Sequence, residues 1–341
     1  MNKSDFETAA EKKRSPVIGI TIGDAAGIGP EIVIKALSHK KKFVNFHPVL
    51  IGDASVLFRT AELLNLDFNA VIVRETDDFP PNVEQPTICD LKNLKQDFAF
   101  GIETEATGRA SAENIEAAVR LWREGKIDAV ATAPISKNAI RLGGYDYPGH
   151  TEFLAALTGT KDFAMSFFAD KLCVVLLSTH VSLTEAIRLV KTENLVRLIK
   201  FSAAELGRLL NKKARLAVAG LNPHASENGM FGEEEEREII PAIEICREHF
   251  GIDVSGAYSP DTIFLRGFRG EFDGVVACYH DQATIAVKCL SFGESVNVTL
   301  GLPLIRTSVD HGTAYDIAGK GLADASSMKS ALNLAARLSN C

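Results

Sequence analysis

Short β-rich runs alternate with amphipathic stretches along almost the whole sequence, and this alternation restricts the possible folds more than any other feature. Runs at 17–22, 49–51, 129–131, 172–177, 216–219, 274–279 and 296–300 read as strands. Between them, apolar residues recur at helical spacing over 32–37, 111–123, 192–210, 233–249 and 325–338. Strands that alternate with helices define an α/β class with a mainly parallel sheet. At about 100–200 residues per domain, 341 residues favour two domains. No Pro/Gly/Ser-rich linker breaks the alternation, so the boundary is placed at the Gly-rich segment 143–149, and the last helical run is expected to return to the first domain. The expected division is residues 1–139 plus 301–341 in one α/β domain and residues 140–300 in an inserted second one.

A net charge of -7 has the wrong sign for a protein whose affinity comes from neutralising nucleic-acid phosphates, so nucleic acid is excluded as a partner and any bound anion must meet locally placed cations. Six scattered cysteines with no C-x-x-C pair indicate neither a disulfide framework nor a thiolate zinc site, and reduced thiols in the cytoplasm are expected. The first 15 residues lack an apolar targeting core, and the longest apolar run, 172–177, is far short of a membrane span. Residues Glu233, Glu234, Glu235 and Glu236 follow Gly232 and read as a solvated helix start, where carboxylates favour the helix dipole.

The segment Gly23-Asp24-Ala25-Ala26-Gly27-Ile28-Gly29-Pro30-Glu31 is a strand-turn-helix junction, with glycines for a tight turn and Pro30 suited to the first helical position. Its spacing is neither G-x-G-x-x-G nor a P-loop, and on spacing alone a structural turn and a ligand contact are equally supported. Of eight histidines, His39, His47 and His249 lie in lysine-rich or helical surroundings and are expected at the surface. His180, His224 and His280 each follow an expected strand. The C-terminal ends of parallel strands line the ligand crevice of such sheets, so three imidazoles there are a candidate site for zinc or a similar divalent ion. Asp281, beside His280, and Asp261, after Pro260, are candidates to complete the shell or shuttle protons. Lys288 and Arg306 are the local cations suited to a phosphorylated substrate.

Seven ordered segments together resemble one family, the 4-hydroxythreonine-4-phosphate dehydrogenases of pyridoxal phosphate biosynthesis. They are the 23–31 turn, Ala133-Pro134-Ile135-Ser136-Lys137, Pro148-Gly149-His150-Thr151-Glu152, Ser178-Thr179-His180, Leu221-Asn222-Pro223-His224, Tyr279-His280-Asp281-Gln282, and the stretch from Asn297 through Arg306 to Ala314. The resemblance implies the isocitrate/isopropylmalate dehydrogenase-like fold, two α/β domains around a cleft, and a homodimer with a shared active site. It implies His180, His224 and His280 as ligands of one divalent ion (zinc, magnesium or cobalt), with the His280 ligand supplied by the partner subunit. His150, Thr151, Lys288, Asn297 and Arg306 match the substrate-binding positions. The loop carrying His311, Gly312, Thr313, Ala314 and Asp316 is similar to the cofactor loop of isopropylmalate dehydrogenases, which accounts for the missing Rossmann fingerprint and implies NAD or NADP.

The implied reaction is oxidation of 4-phosphohydroxy-L-threonine at C3, with loss of CO₂ to give 3-amino-2-oxopropyl phosphate. A dehydrogenase of D-threonate or D-erythronate 4-phosphate is the alternative within the fold, and a non-redox metabolite-binding or acyl-transferring protein is the remote one. The sequence departs from the family's usual Pro at Ala25 and from its usual Gly at Ser226 and Ala283. Ala283, three residues past His280, is expected to reshape the pocket floor.

Overall fold

A computed structural model describes residues 14–38, 45–80, 85–94, 97–291 and 293–340. The strands in chain order are β1 (Val17–Thr21), β2 (His47–Gly52), β3 (Val71–Val73), β4 (Thr87–Asp90), β5 (Ala129–Thr132), β6 (Ala164–Ala169), β7 (Leu172–Leu176), β8 (Leu216–Ala219), β9 (Val254–Tyr258), β10 (Gly274–Ala277), β11 (Val296–Leu300) and β12 (Ile305–Ser308). Among the helices are α1 (Gly29–Leu37), α2 (Ala54–Leu63), α3 (Glu105–Arg123), α4 (Lys137–Leu142), α5 (His150–Thr158), α6 (Leu183–Leu189), α7 (Thr192–Leu210), α8 (Ile240–Phe250), α9 (Pro260–Phe268), α10 (His280–Leu290) and α11 (Ser326–Ser339). The α/β class read from the alternation is the observed one.

The strands form one sheet in the order β3-β4-β2-β1-β5-β12-β11-β6-β7-β10-β8-β9. Every pairing is parallel except β12–β11, β11–β6 and β6–β7, which lie at its centre. Helix α7 has the bounds that its 3.6-residue periodicity gives. Helix α3 begins earlier than its apolar stripe, because the Thr104 hydroxyl accepts from the Thr107 amide and caps it there. Pro30 opens α1 as expected.

Three surface or pocket expectations are corrected. His47 is buried in β2, where its neighbours on the sheet carry the burial that its lysine-rich flank hides in the sequence, and its Nε2 meets Thr87 Oγ1 at 2.9 Å. His249 is exposed as expected, and His39 lies outside the described residues. Glu235 is also buried, in a short π-type turn (Glu235–Ile239) ahead of α8, although Glu233 and Glu236 beside it are exposed. Ala283 is fully buried on α10, in the core that also holds Ala219 and Ala277 of the sheet, and it is not among the residues that line the cleft described next.

Burial lowers the pKa of His47 below the ordinary 6.5, because an imidazolium there would be desolvated. As pH falls through 6.5 the unfolded chain takes up this proton first, so the neutral buried ring destabilises the native state on the acid side. The melting temperature should therefore fall from about pH 7 to pH 5, and His47→Gln should reduce that fall. An unchanged slope in the variant's melts would remove His47 from the account.

Candidate active site

The central antiparallel strands bring distant segments to one cleft of about 800 Å³. It is lined by His150, Thr151 and Glu152 at the start of α5, by Thr179 and His180 after β7, by Asn297 of β11, by Arg306 and Ser308 of β12, and by residues of α7. Side chains two apart on a strand share a face, which is why Asn297 with Thr299, and Arg306 with Ser308, point the same way.

Arg306 is 4% exposed, and among the described residues no carboxylate is bonded to it. Its Nε and Nη2 donate to Thr132 Oγ1 at 3.2 and 2.9 Å, and its Nη1 donates to Thr299 Oγ1 at 3.1 Å and Asn297 Oδ1 at 3.3 Å. Desolvation pulls its pKa down to about 10, opposed by the field of Glu152, so it stays charged at neutral pH. A buried cation held only by neutral acceptors is a site prepared for an anion. Beside it, the Nε2 atom of His150 is buried without a partner. Burial and the Arg306 charge hold that ring well below the ordinary histidine range, hence neutral. Thr151 Oγ1 lies 3.2 Å from Thr299 Oγ1. Thr132 and Thr299, which aim the guanidinium, were missed in the sequence. The period-2 alternation of β11 was the available signal for Thr299, whereas Thr132 fell one residue past the apolar run of β5.

The three candidate metal histidines stand at the C-terminal ends of β7, β10 and β8, which are parallel neighbours in that order. The rings of His180 and His280 approach to 5.7 Å between centroids. His280 Nδ1 is 2.7 Å from Asp281 Oδ1, an arrangement that fixes the ring's tautomer and leaves Nε2 free. His224 does not join this pair within the chain, and among the described residues no three His, Cys, Asp or Glu side chains are disposed to hold an ion together. The donor set thus fits a divalent ion in chemistry and strand position, and the pair that a single chain brings together is His180 with His280, whereas the resemblance implied a His280 ligand from the partner subunit.

His224 opens an unusual turn. Residues His224, Ala225, Ser226, Glu227 and Asn228 all have positive φ, at 53°, 51°, 68°, 48° and 56°. An L-residue costs roughly 1–2 kcal/mol in this left-handed conformation, asparagine less. Ser226, where the family's usual residue is Gly, takes the largest of these angles without glycine's freedom.

The remaining candidates lie elsewhere. Lys288, in the last turn of α10, is half exposed and 3.6 Å from Asp310. Asp261 accepts from Ser259 Oγ at 2.6 Å and, with Asp281, lines an adjoining apolar groove between α9 and α10. The candidate cofactor loop packs on the 23–31 turn: Ile28 N donates to Thr313 O at 2.9 Å, and a side chain at Gly27 would strike Thr313. Asp24, wholly buried with its pKa raised by desolvation, accepts from Ala26 N at 2.8 Å and from the Tyr315 hydroxyl at 2.9 Å. His311 and Gly312 stay exposed, with open space beside Gly312, so backbone is accessible there to a dinucleotide.

An α/β sheet whose strand ends and central strands surround a cleft, with a buried arginine and strand-end histidines, is the architecture of a protein that binds a small anionic molecule. The chain matches the family model described as "Pyridoxal phosphate biosynthetic protein PdxA" over residues 45–335, and it belongs to that family. It is similar to the D-threonate 4-phosphate dehydrogenase of Cupriavidus necator, with 44% identity over 324 residues, 95% of this chain and 97% of the relative. Among solved structures it is similar to the 4-hydroxythreonine-4-phosphate dehydrogenase of Klebsiella pneumoniae, with TM-score 0.86 and 40% identity over 95% of this chain and all of that one. The enzyme of the same title from Burkholderia phymatum gives TM-score 0.84 and 44% identity over 95% and 98% of the two chains. The fold is therefore the one the family resemblance implied.

Proposed function

We propose that the protein is an NAD(P)-dependent dehydrogenase that oxidises 4-phosphohydroxy-L-threonine at C3, with decarboxylation to 3-amino-2-oxopropyl phosphate. The observation that carries this reading is Arg306, a buried cation bonded only to neutral groups beside the unpartnered His150 Nε2. Arg306, His150, Thr151 and Asn297 bind the anionic ends of the substrate and so fix which carbon faces the nicotinamide. Lys288 reaches the same substrate by leaving its long, half-exposed contact with Asp310. His180, His224 and His280 hold a divalent ion, zinc, magnesium or cobalt, which supplies a Lewis acid for the oxygen on C3. Asp281 orients His280, and Asp261 stands by on the neighbouring groove as a proton carrier. His311, Gly312, Thr313, Ala314 and Asp316 receive the dinucleotide.

The same reading makes the protein a cytoplasmic homodimer whose partner supplies the His280 ligand. Its support is the exposed apolar set around the histidines, Val181, Leu183, Ile187, Met230, Phe231 and Ile285, which a second copy would cover. Among the described residues no helix is long and apolar enough to cross a membrane. The proposed division into residues 1–139 plus 301–341 and residues 140–300 rests on two cores, one drawing on Ile18 to Ala133 and returning with Val309 to Ala336, another drawing only on Phe167 to Val287. Two further cores cross it, since Phe153, Leu154 and Ala155 pack with Val49 to Ile140, and Ala331, Leu334 and Leu338 with Phe168 to Leu300.

D-threonate 4-phosphate is a second reading, favoured by the name of the Cupriavidus relative. The two substrates differ at C2, ammonium against hydroxyl, and share the phosphate and the C3 hydroxyl. NADH or NADPH formation should be followed with each, with and without a chelator. Faster, chelator-sensitive turnover of the hydroxythreonine phosphate is expected. Preference for the threonate phosphate would move the assignment to the second reading, and no reduction of either cofactor with either substrate would overturn both.

A further inference from the structure

The glutamate run left an unexplained member. Glu233 and Glu236 are solvated, whereas Glu235 is 1% exposed and forms no ion pair among the described residues. Its Oε1 accepts from the backbone amides of Leu221 and Asn222 at 2.8 and 2.7 Å, and its Oε2 accepts from Asn222 Nδ2 at 2.9 Å. The second hydrogen of that Nδ2 goes to Glu234 Oε2 at 2.8 Å. Two partly buried backbone donors at the exit of β8 thus depend on one carboxylate.

Immediately after these residues comes the left-handed turn of 224–228, in a stretch with no glycine until Gly229. Nothing in the sequence His-Ala-Ser-Glu favours that conformation, so the surroundings must impose it. The turn's own bonds are few: Ala225 N to Asn222 O at 3.1 Å, Gly229 N to Ser226 Oγ at 3.3 Å, Met230 N to Glu227 O at 3.4 Å and Phe231 N to Ser226 O at 3.1 Å. They begin at Asn222, the residue that Glu235 grips on both backbone and side chain. Packing is equally tight, since a Cβ at Gly220 would lie 2.9 Å from Ala225 Cα and 3.1 Å from Glu235 Oε1. Gln282, two residues past His280, donates to Gly220 O at 2.7 Å and accepts from Cys278 N at 2.8 Å, tying the same strand exit to the start of α10.

We propose that Glu235 is the positioning residue for His224: its buried carboxylate pins residues 221 and 222, and through them holds the 224–228 turn in the left-handed form that sets the direction of the imidazole. The role of the turn follows from contacts within the chain. Its consequence for an ion rests on the reading of His224 as a ligand. Glu235→Gln is the informative change, because the amide keeps the shape and one acceptor but turns an NH₂ toward Asn222 Nδ2, which needs an acceptor, and removes the charge that strengthens the two backbone bonds to Oε1.

The test uses the full-length protein and two measurements. Hydrogen exchange reports the turn, and calorimetric titration of metal-free protein with Co²⁺ alone reports the ligand. In Glu235→Gln, amides 225–231 should exchange about tenfold faster or more, while those of β1 and β5 stay as they were. Its Co²⁺ affinity should fall by roughly 10–100-fold. Added to His224→Ala, the Gln change should weaken Co²⁺ binding no further, which a general structural defect would not reproduce. Unchanged exchange over 225–231 overturns the proposal. Wild-type Co²⁺ affinity in His224→Ala overturns the ligand reading instead, and exchange still decides whether Glu235 holds the turn. Should Glu235→Gln fail to fold, Asn222→Ala removes the side-chain half of the grip and should speed the same amides. Wild-type exchange there sinks the idea equally.

Discussion

Arg306→Lys is expected to raise KM for the 4-phosphorylated substrate by roughly one to two orders of magnitude, about 1–3 kcal/mol for a charge-assisted hydrogen bond, and to lower kcat as well. The guanidinium uses three nitrogens at once, two on Thr132 and one shared by Thr299 and Asn297, and its rigid plane is what leaves its charge facing the cleft. A lysine ammonium is a point charge on a flexible stem. It satisfies Thr132 or reaches the ligand, and it does not hold one geometry while doing both. The fall in kcat follows if the phosphate orients C3, since binding energy from the remote end of the substrate is used for positioning. Steady-state kinetics on the phosphorylated substrate and a dephosphorylated analogue check this, because the analogue should lose far less. Equal losses on both would place Arg306 at the carboxylate or in a structural role.

That site was legible in part, and the part follows from what local sequence encodes. The strand-end histidines and the bounds of α7 come from periodicities of two and 3.6 residues, which hold wherever a strand or helix must bury one face. Strand β12 was not read as a strand. Its Arg306-Thr307-Ser308 is polar, and it is a strand because residues 305–308 pair with the sequence-distant 129–132 on one side and with the neighbouring β11 on the other. Thr132 acquires its task by the same pairing. His47 looked like a surface residue because Lys40, Lys41 and Lys42 stand a few residues before it, yet burial is set by β1 and β4 beside it. The left-handed turn at 224–228 had little local signal, since alanine, serine and glutamate at its centre do not favour positive φ. Only a tertiary contact such as that of Glu235 accounts for it.

The pairing of His180 with His280 inside one chain gives the shared-site reading its sharpest test. Alanine at either position should abolish turnover while leaving the fold intact, because neither side chain belongs to the apolar cores. If a complete site takes His180 and His224 from one subunit and His280 from the other, a heterodimer of His180→Ala with His280→Ala has one site lacking both histidines and one site lacking neither. At equal mixing half of the dimers are of this kind, so the mixture of two dead proteins should recover about a quarter of the wild-type sites. If instead the 5.7 Å neighbours serve the same site within one chain, every site in the mixture lacks a ligand and nothing is recovered. Subunit exchange must be shown independently, for example by native mass spectrometry of differently tagged chains. A mixture that exchanges subunits and stays inactive would assign both rings to a single chain, and a mixture that recovers about a quarter of the activity would make the dimer the catalytic unit.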